Sequence, residues 1–246
     1  MTATKQNFMA HEIPILNGYF KTFGDQIEAL RIAYREALYH IPSELWTWGG
    51  GTVLALYYFH HRTSFDIDLF IHDPQVFAYL SPKWILDEGE SAFSDDYQEA
   101  ADHIQLVVSA SQVNVDFILS PPLMPRHSQK NTLLELGFEF YVESIEEIIA
   151  RKLRFRRTYT IARDIFDTAV AITEQPTLLE RLYRAKILPI EGLVELNTAL
   201  HSLDREQYQR DIEMISPAEN CIHIAKNAKE IIIDSIEKLR KIILTQ

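Results

Sequence analysis

Apolar side chains recur at helical spacing early in the chain, and the spacing then becomes strand-like. Residues 24–40 carry them every three or four positions, and Pro42, which does not continue a helix, follows this segment. Residues 45–48 are a short apolar run that leads into three consecutive glycines, after which residues 53–59 are apolar again. This order predicts a helix, a strand, a glycine-rich turn and a second helix.

Apolar and acidic side chains alternate over residues 65–71, which predicts a strand. Because successive side chains of a strand point to opposite faces, Asp66 and Asp68 share one face. We expect a helix over residues 74–86 and an acidic, turn-rich segment over residues 87–102.

Two further strands are predicted over residues 103–109 and 112–119, with Asp116 central in the second. Three prolines then mark an irregular connection, and beyond Val142 the pattern becomes amphipathic and helical, with no strand signal. We therefore expect an α/β N-terminal domain, residues 1–142, and an all-helical C-terminal domain, residues 143–246.

The helices of the second half are delimited by caps and prolines. Ser144 followed three residues later by Glu147 is a capping box, which opens a helix that runs through Arg157. A second helix is expected over residues 164–172, and a helix packed in the core over residues 222–243. Three prolines divide the remainder into at least three more helices: Pro176, Pro189 and Pro217.

The chain of 246 residues is acidic, with a net charge of −11. Such a balance argues against broad affinity for nucleic acid, which depends on neutralising phosphates with Lys and Arg. One basic cluster stands out against this acidic charge and indicates a local site for an anionic partner. The alternative is a solvated helix face. The cluster consists of Arg151, Lys152, Arg154, Arg156, Arg157 and Arg163.

The rest of the composition is that of a globular protein. Cys221 is the single cysteine, which excludes an internal disulfide and a multi-cysteine zinc site, and we expect a buried thiol. Residues 1–8 lack a basic region followed by an apolar run, and no stretch has the length of a membrane span. We expect a cytoplasmic protein.

Three aspartates are candidates for a metal site. Asp66 and Asp68 project side by side, and Asp116 on a neighbouring strand can converge on them. Carboxylate oxygens suit hard divalent cations, which in phosphoryl transfer align the attacking hydroxyl and stabilise the leaving pyrophosphate. Two aspartates on an exposed strand are common, so by themselves they are a weak indication of a metal site. Histidines 60 and 61 are not expected to bind a metal, because adjacent side chains diverge.

The glycine-rich turn is a candidate for phosphate binding. Gly50 and Gly51 allow a close approach of the backbone, and Thr52 begins the helix that follows. The alternative is an ordinary tight turn. No lysine follows the glycines as in a P-loop, but a glycine-rich turn followed by a helix and an Asp-x-Asp strand is a more specific combination.

These motifs together resemble the nucleotidyltransferase superfamily, and specifically the AbiEii and MenT-like toxins of type IV toxin-antitoxin systems. The motifs span about half of the chain and occur in the family's order. Residues 49–56 are similar to the glycine turn, residues 62–69 to the Arg-x-Ser-x-Asp-x-Asp motif, residues 150–153 to the helix with a lysine, and residues 163–167 to an Arg-Asp-x-x-Asp motif.

The resemblance implies roles for individual residues. Asp66 and Asp68 would bind Mg²⁺ or Mn²⁺, and Asp116 would complete the metal cluster or accept the proton of the attacking hydroxyl. Lys152 would bind the triphosphate, and either Asp164 or Asp167 would hold this lysine or line the acceptor site. The nucleotide would contact Gly50, Gly51, Thr52, Ser64 and Lys152, and the acceptor would contact Arg151, Arg154, Arg156, Arg157 and Asp167.

The implied activity is transfer of a nucleoside monophosphate from an NTP to an acceptor, which the resemblance suggests is a tRNA 3′ end. The protein would act as a toxin held in check by an antitoxin. A second hypothesis keeps the same site with a small molecule or a protein hydroxyl as acceptor. A third is a nonenzymatic nucleotide-binding protein on a degenerate fold of this class.

Overall fold

The computed structural model describes residues 23–86, 91–131, 137–159 and 161–245. The prediction made from residues 1–8 lies outside these ranges, as do residues 87–90 of the predicted acidic segment. In the described ranges, no helix is long and apolar enough to cross a membrane.

One mixed sheet contains the strands of the described ranges. Its strands are β1 (Trp46–Gly49), β2 (Ile67–Ile71), β3 (Phe93–Glu99), β4 (His103–Val108), β5 (Asn114–Leu119), β6 (Ser128–Asn131) and β7 (Phe140–Glu143). The spatial order is β3-β4-β5-β2-β1-β7-β6. The β2–β5 and β1–β7 pairs are parallel, and the other neighbours are antiparallel. The predicted strands β1, β2, β4 and β5 are confirmed, and they form the middle of the sheet.

The helices before β2 also match the prediction. Helix α1 covers residues 23–33 and continues as a π-helical turn, Tyr34–Leu38, and a 3-10 turn, Ser43–Leu45, leads into β1. Helix α2, Gly50–Val53, starts directly at the end of β1 and continues as a π-helical turn, Leu54–Tyr58. The chain therefore turns from strand to helix at the glycines, as predicted.

The predicted helix over residues 74–86 is interrupted. It consists of α3 (Pro74–Phe77), a 3-10 turn (Ala78–Leu80) and α4 (Pro82–Leu86). Ser81 between them is extended, with φ −56° and ψ 128°, because the residue before a proline disfavours helical angles.

Three strands were not predicted, and the segment over residues 87–102 is not only turns. β3 lies at the edge of the sheet, pairs with β4 alone and is exposed on both faces over most of its length, so it shows no alternation of apolar and polar side chains. β6 is the polar strand at the other edge. β7 is short and mostly buried, so its apolar residues carry no period of two.

After β7 the described chain forms helices and connecting turns. The helices are α5 (Ile145–Arg156), α6 (Ala162–Glu174), α7 (Leu178–Arg184), α8 (Ile190–His201), α9 (Arg205–Ile215), α10 (Ile222–Lys226) and α11 (Ala228–Leu244). Ser144 caps α5 by accepting a hydrogen bond from the Glu147 N–H, as the capping box predicts. The single helix predicted over residues 222–243 is divided at Asn227.

A continuous hydrophobic core joins the sheet to the helices. It includes Trp46 and Trp48 of β1, Phe117 of β5, Phe166 of α6 and Ile236 of α11, all buried. Cys221 is also part of this core, as predicted. Side chains from residues 1–142 and from residues 143–246 share this core. The division of the chain into two domains at residue 142 stays a prediction.

Candidate active site

The predicted aspartates meet at the middle of the sheet. Asp68 in β2 lies beside Asp116 of the parallel strand β5 and beside Gly49 of the antiparallel strand β1. Asp66 immediately precedes β2. The sequence therefore predicted correctly that the two strands bring Asp68 and Asp116 together.

Polar side chains of neighbouring strands hold two of these carboxylates. Asn114 Nδ2 donates to Asp66 Oδ1 at 3.1 Å. Asp116 Oδ1 lies 2.6 Å from His103 Nε2 and accepts a hydrogen bond from Gln105 Nε2 at 2.9 Å. These three partners were not predicted from the sequence, although strands were predicted over residues 103–109 and 112–119, which contain them.

The surroundings of Asp68 disfavour the charged form of its carboxyl group. Burial raises the pKa of Asp68 to about 6, and the charges of Asp116 and Asp66 act in the same direction, while Lys152 opposes them. Among the described residues, no three His, Cys, Asp or Glu side chains are placed to hold a metal ion together, so the predicted set of three aspartates is not brought together as a metal site. Asp66 and Asp68 line the neighbouring pocket, and Asp116 does not. The oxygen donors and the excess negative charge nevertheless fit a divalent cation held mainly by Asp66 and Asp68.

The glycine turn passes directly over the aspartates. Gly50 has φ +74°, and a Cβ at this position would overlap the carboxylate of Asp68. A Cβ on Gly51 would lie 2.5 Å from Arg62 Nη2. At Gly50, only glycine combines this backbone conformation with so close an approach, whereas at Gly51 a side chain would have to displace the guanidinium of Arg62.

Thr52 anchors the start of α2 to the segment before β2. Its side chain is buried, lies 2.8 Å from the Ser64 hydroxyl and donates to the carbonyl of Asp66. Both hydroxyls therefore brace the loop that carries Asp66, in addition to lining the pocket described next.

A half-open pocket of about 560 Å³ lies between these strand ends and helix α5. It contains most of the predicted site residues. One part of its lining is Gly50, Gly51, Thr52, Arg62, Ser64, Asp66, Asp68, Lys152, Phe155, Arg156 and Arg163, and the other part is Phe70, Asp102, Ile118, Leu119, Ser120, Pro121, Glu143, Ile148 and Arg151.

Lys152 is held in place by both candidate carboxylates of α6. Its Nζ lies 2.5 Å from Asp164 Oδ1 and 3.1 Å from Asp167 Oδ2. The resemblance implied that Asp164 or Asp167 either holds the lysine or lines the acceptor site. These contacts agree with the first role. Arg156 adds a further ion pair to Asp164, at 3.1 Å.

Asp167 is the centre of a buried ionic network. It accepts hydrogen bonds from Arg62 Nε at 2.6 Å and Nη2 at 2.9 Å, and its Oδ1 lies 2.8 Å from His61 Nε2. Burial would raise the pKa of Asp167, but Arg62 and Lys152 hold it well below its usual range. Asp167 has no exposed surface, so its predicted direct contact with an acceptor is replaced by an internal role.

The predicted acceptor-binding arginines occupy different environments. Arg151 is buried and pairs with Glu143 and Glu147, so it faces the pocket and not the solvent. Arg157 pairs with Glu195. Arg156 and Arg163 line the pocket and remain accessible, and the exposed Arg154 lies beside Phe155, which is also part of the lining.

Glu143 is a pocket residue that was not predicted from the sequence. It ends β7, and its Oε1 accepts a hydrogen bond from Arg151 Nε at 2.9 Å. Burial raises the pKa of Glu143 to about 8, although Arg151 opposes this shift. The only available signal was its place at the end of a short apolar run, and that run was not recognised as a strand.

A mixed sheet with a glycine turn, followed by paired aspartates at the next strand, is the architecture of a nucleotidyltransferase. The family model described as "Nucleotidyl transferase AbiEii toxin, Type IV TA system" matches residues 34–221. The chain therefore belongs to the AbiEii family of nucleotidyltransferase toxins. The predictions of the superfamily, the fold class and the enzyme class are confirmed.

Solved structures are similar to this chain at low sequence identity. JHP933 from Helicobacter pylori is 15% identical, with a TM-score of 0.49 over 93% of this chain and 94% of that one. A further H. pylori structure, described as a nucleotidyltransferase, is 15% identical, with a TM-score of 0.50 over 90% and 95%. MenT4, a nucleotidyltransferase toxin from Mycobacterium tuberculosis, is 17% identical, with a TM-score of 0.48 over 84% and 91%. No curated protein matches this chain in sequence.

Proposed function

We propose that this enzyme transfers a nucleoside monophosphate from an NTP to a hydroxyl at the 3′ end of tRNA, with Mg²⁺ or Mn²⁺ as cofactor. One observation carries the proposal. Asp66, Asp68, the glycine turn and Lys152 line the same pocket, so oxygen ligands for a cation lie opposite donors for a triphosphate.

The triphosphate is assigned to the glycine turn and the basic wall. Gly50 and Gly51 leave the backbone at the start of α2 accessible, and Ser64 offers a hydroxyl beside them. Lys152 and Arg163 supply positive charge from the helical side of the pocket. These groups would hold the β- and γ-phosphates in place while the α-phosphorus reacts.

The cation is assigned to Asp66 and Asp68. Bound there, it would neutralise the charge on the triphosphate and on the departing pyrophosphate. The raised pKa of Asp68 supports this assignment, because two neighbouring carboxylates leave negative charge that Lys152 does not balance.

The reaction needs a proton acceptor. The acceptor hydroxyl oxygen forms a bond to the α-phosphorus, the bond from the α-phosphorus to the bridging oxygen breaks, and pyrophosphate leaves. We assign the hydroxyl proton to Asp116, the second of its two predicted roles. Asp116 contacts His103, whose side chain is 38% exposed and offers a path for the proton to solvent.

The pocket mouth favours an RNA acceptor. Phe155 lines the pocket and is exposed, and Arg154 and Arg163 lie close to it in sequence and are also exposed. An exposed ring among arginines suits the stacked bases and phosphates of a single-stranded end. The net charge of −11 favours the second candidate, a small molecule or a protein hydroxyl, because it offers little general affinity for RNA.

Membership in a type IV toxin family implies an antitoxin that counteracts the enzyme. NTPs and tRNA occur together in the cytoplasm, and we propose that the protein acts there. Expression without the antitoxin should then slow growth, and the same protein with Asp66→Asn should not.

The test is incubation of the purified protein with each labelled NTP, total tRNA and Mg²⁺, with and without EDTA. We expect label in tRNA, loss of transfer with EDTA, and at least a hundredfold loss with Asp66→Asn or Asp68→Asn. Asp95→Asn, an exposed aspartate on β3, is the matched control and should transfer normally.

The outcomes separate the candidates. NTP binding without transfer to RNA would overturn the tRNA proposal in favour of a small-molecule or protein acceptor. Failure to bind any NTP would favour a nonenzymatic protein. A Phe155→Ala variant should weaken tRNA use about tenfold and leave NTP binding unchanged, because one stacked base is lost.

A further inference from the structure

The pocket has two chemically different ends along helix α5. Ile148, Arg151, Lys152, Phe155 and Arg156 all line it, at the spacing of three and four residues that places them on one face of the helix. Lys152 and Arg156 lie at the end where the glycine turn and the aspartates are. The other end begins one helical turn earlier, at Ile148 and Arg151.

The second end is a slot with apolar walls, which also holds the polar side chains of Asp102, Ser120 and Arg151 and one buried carboxyl group. Side chains of the sheet and of the connection after β5 form its walls, together with Ile148: Phe70, Ile118, Leu119 and Pro121. Glu143 lies among them, fully buried. A pocket with mostly apolar walls and a few convergent polar groups is the usual composition of a site for a small organic ligand.

Glu143 Oε2 is buried and has no hydrogen-bond partner among the described residues. An unpaired polar atom of this kind is costly, and its retention indicates a partner that arrives with a ligand. Gly49 makes this placement possible, because a Cβ there would collide with Glu143 Oε2. The carboxyl group therefore occupies space that any other residue at position 49 would fill.

Arg151 does not satisfy this oxygen. It reaches Glu143 Oε1 through Nε, at 2.9 Å, and Glu147 Oε1 through Nη2, at 3.0 Å. Glu147 is satisfied further, since both its oxygens accept hydrogen bonds from the N–H groups of Leu123 and Met124. Of the two buried glutamates beside Arg151, Glu143 is the one with an oxygen left over and the one that lines the pocket.

We propose that Glu143 is a specificity-determining residue that hydrogen-bonds the base of the incoming NTP through Oε2. The inference rests on the proposed function, because it needs an NTP in the pocket. The base is the part of an NTP that is flat, largely apolar and rimmed with N–H groups and ring nitrogens, which are the groups that can pair with a carboxyl group inside an apolar wall. With the phosphates at the glycine turn, the base extends towards the apolar slot.

The experiment compares an NTP with ribose 5′-triphosphate, which has the same phosphates and sugar but no base. Binding of each of the four NTPs, as their α,β-methylene analogues, and of ribose 5′-triphosphate is measured by calorimetry for the native protein and for Glu143→Gln. The amide keeps the acceptor that Arg151 uses and places a donor at the position of Oε2. Binding is measured above pH 8, where Oε2 of the native Glu143 is ionised and can only accept. We expect the affinity for the preferred NTP to fall about tenfold and that for ribose 5′-triphosphate to stay unchanged.

Glu147→Gln is the matched control, because it changes the other carboxylate of Arg151 without touching the pocket. It should leave the ratio between NTP and ribose 5′-triphosphate affinity unchanged. If Glu143→Gln does not fold, Leu119→Phe provides the second variant: it fills the slot from a half-buried wall position and should weaken NTPs selectively.

An equal loss for NTP and ribose 5′-triphosphate in Glu143→Gln, or no loss for either, would overturn the assignment of Glu143 while the proposed function stands. The assignment would also be overturned if Leu119→Phe weakened both ligands alike. A native protein that binds neither ligand would overturn the proposed function and this inference together.

Discussion

Three buried carboxylates of this enzyme differ in charge because they have different numbers of basic neighbours. Two basic side chains contact Asp167, which is ionised. Glu143 shares Arg151 with Glu147, and one cation cannot balance two carboxylates, so burial dominates and raises the pKa of Glu143 to about 8. Asp68 lies between these cases and has other aspartates as neighbours.

The Glu143 carboxyl group predicts a pH dependence of stability. Its folded-state pKa is raised, so between its usual pKa and about 8 the unfolded chain releases a proton that the folded protein keeps. The free energy of unfolding should therefore fall with rising pH across this window, by on the order of 1 kcal/mol per pH unit, and level off above it.

The Glu143→Gln variant removes this pH dependence. The free energy of unfolding is measured in urea at pH 5, 6, 7 and 8 for both proteins. The value for the variant minus the value for the native protein should increase as the pH rises. Parallel profiles for the two proteins would show that Glu143 is ionised in the folded state.

Among the elements, the strand-to-helix turn between β1 and α2 leaves the least room for amino-acid substitution. Gly50 must have positive φ and must leave room for Asp68. Gly137 has a similar φ of +76°, yet a Cβ there would meet nothing within 4 Å. Substitutions at Gly137 therefore report the free-energy cost of backbone strain alone, whereas substitutions at Gly50 report that cost together with the effect of a side chain in the site.

Alanine at either glycine should reduce the free energy of unfolding by about 1–2 kcal/mol for the left-handed conformation. Gly50→Ala should in addition displace Asp68 and reduce nucleotidyl transfer at least a hundredfold. Gly137→Ala should keep its activity. The comparison requires thermal unfolding and transfer assays on both variants, and full activity of Gly50→Ala would refute the close approach.

In the whole molecule, the ionic network around Asp167 joins the helices to the sheet. Arg62 lies just before β2 and pairs with Asp167 of α6, and the same segment contacts the end of α9 through the Thr63 hydroxyl and the Ile215 carbonyl, at 3.0 Å. Activity thus depends on docking of the helical part, because Lys152 and the aspartates come from different parts of the chain.

Asp167→Asn should lower the free energy of unfolding by about 3–5 kcal/mol, since it leaves Arg62 buried without its ion-pair partner and removes one of the two carboxylates that contact Lys152. Asp234→Asn, at an exposed position of α11, should change stability by less than about 0.5 kcal/mol. Urea unfolding of both variants makes the comparison. A small effect of Asp167→Asn would show that the network is not needed for docking.

The acidic surface also predicts how RNA binding responds to salt. With a net charge of −11 and about three accessible arginines at the pocket mouth, the slope of log K against log salt should be about −2. Arg154→Ala and Arg163→Ala should each make the slope shallower by about 0.7, and the exposed Arg210→Ala on α9 should not. A steep slope in the native protein would require a larger basic surface than this one.

Local patterns in the chain were sufficient to predict the central strands and most of the residues that line the candidate site. The alternation around Asp66 and Asp68, the glycines before α2 and the capping box at Ser144 are all defined within a few residues, and each predicted its element correctly. The edge strands β3 and β6 were missed because polar residues on both faces leave no period to detect.

The tertiary structure alone decided which partner each charged side chain has. Glu143 became a pocket residue because parallel pairing of β1 and β7 places it beside Gly49, which is 94 residues away in the sequence. Asp167 became internal because Arg62, His61 and Lys152 converge on it from two elements. Spacing along a chain determines local backbone shape, whereas burial and charge pairing depend on contacts between distant segments and exist only after folding.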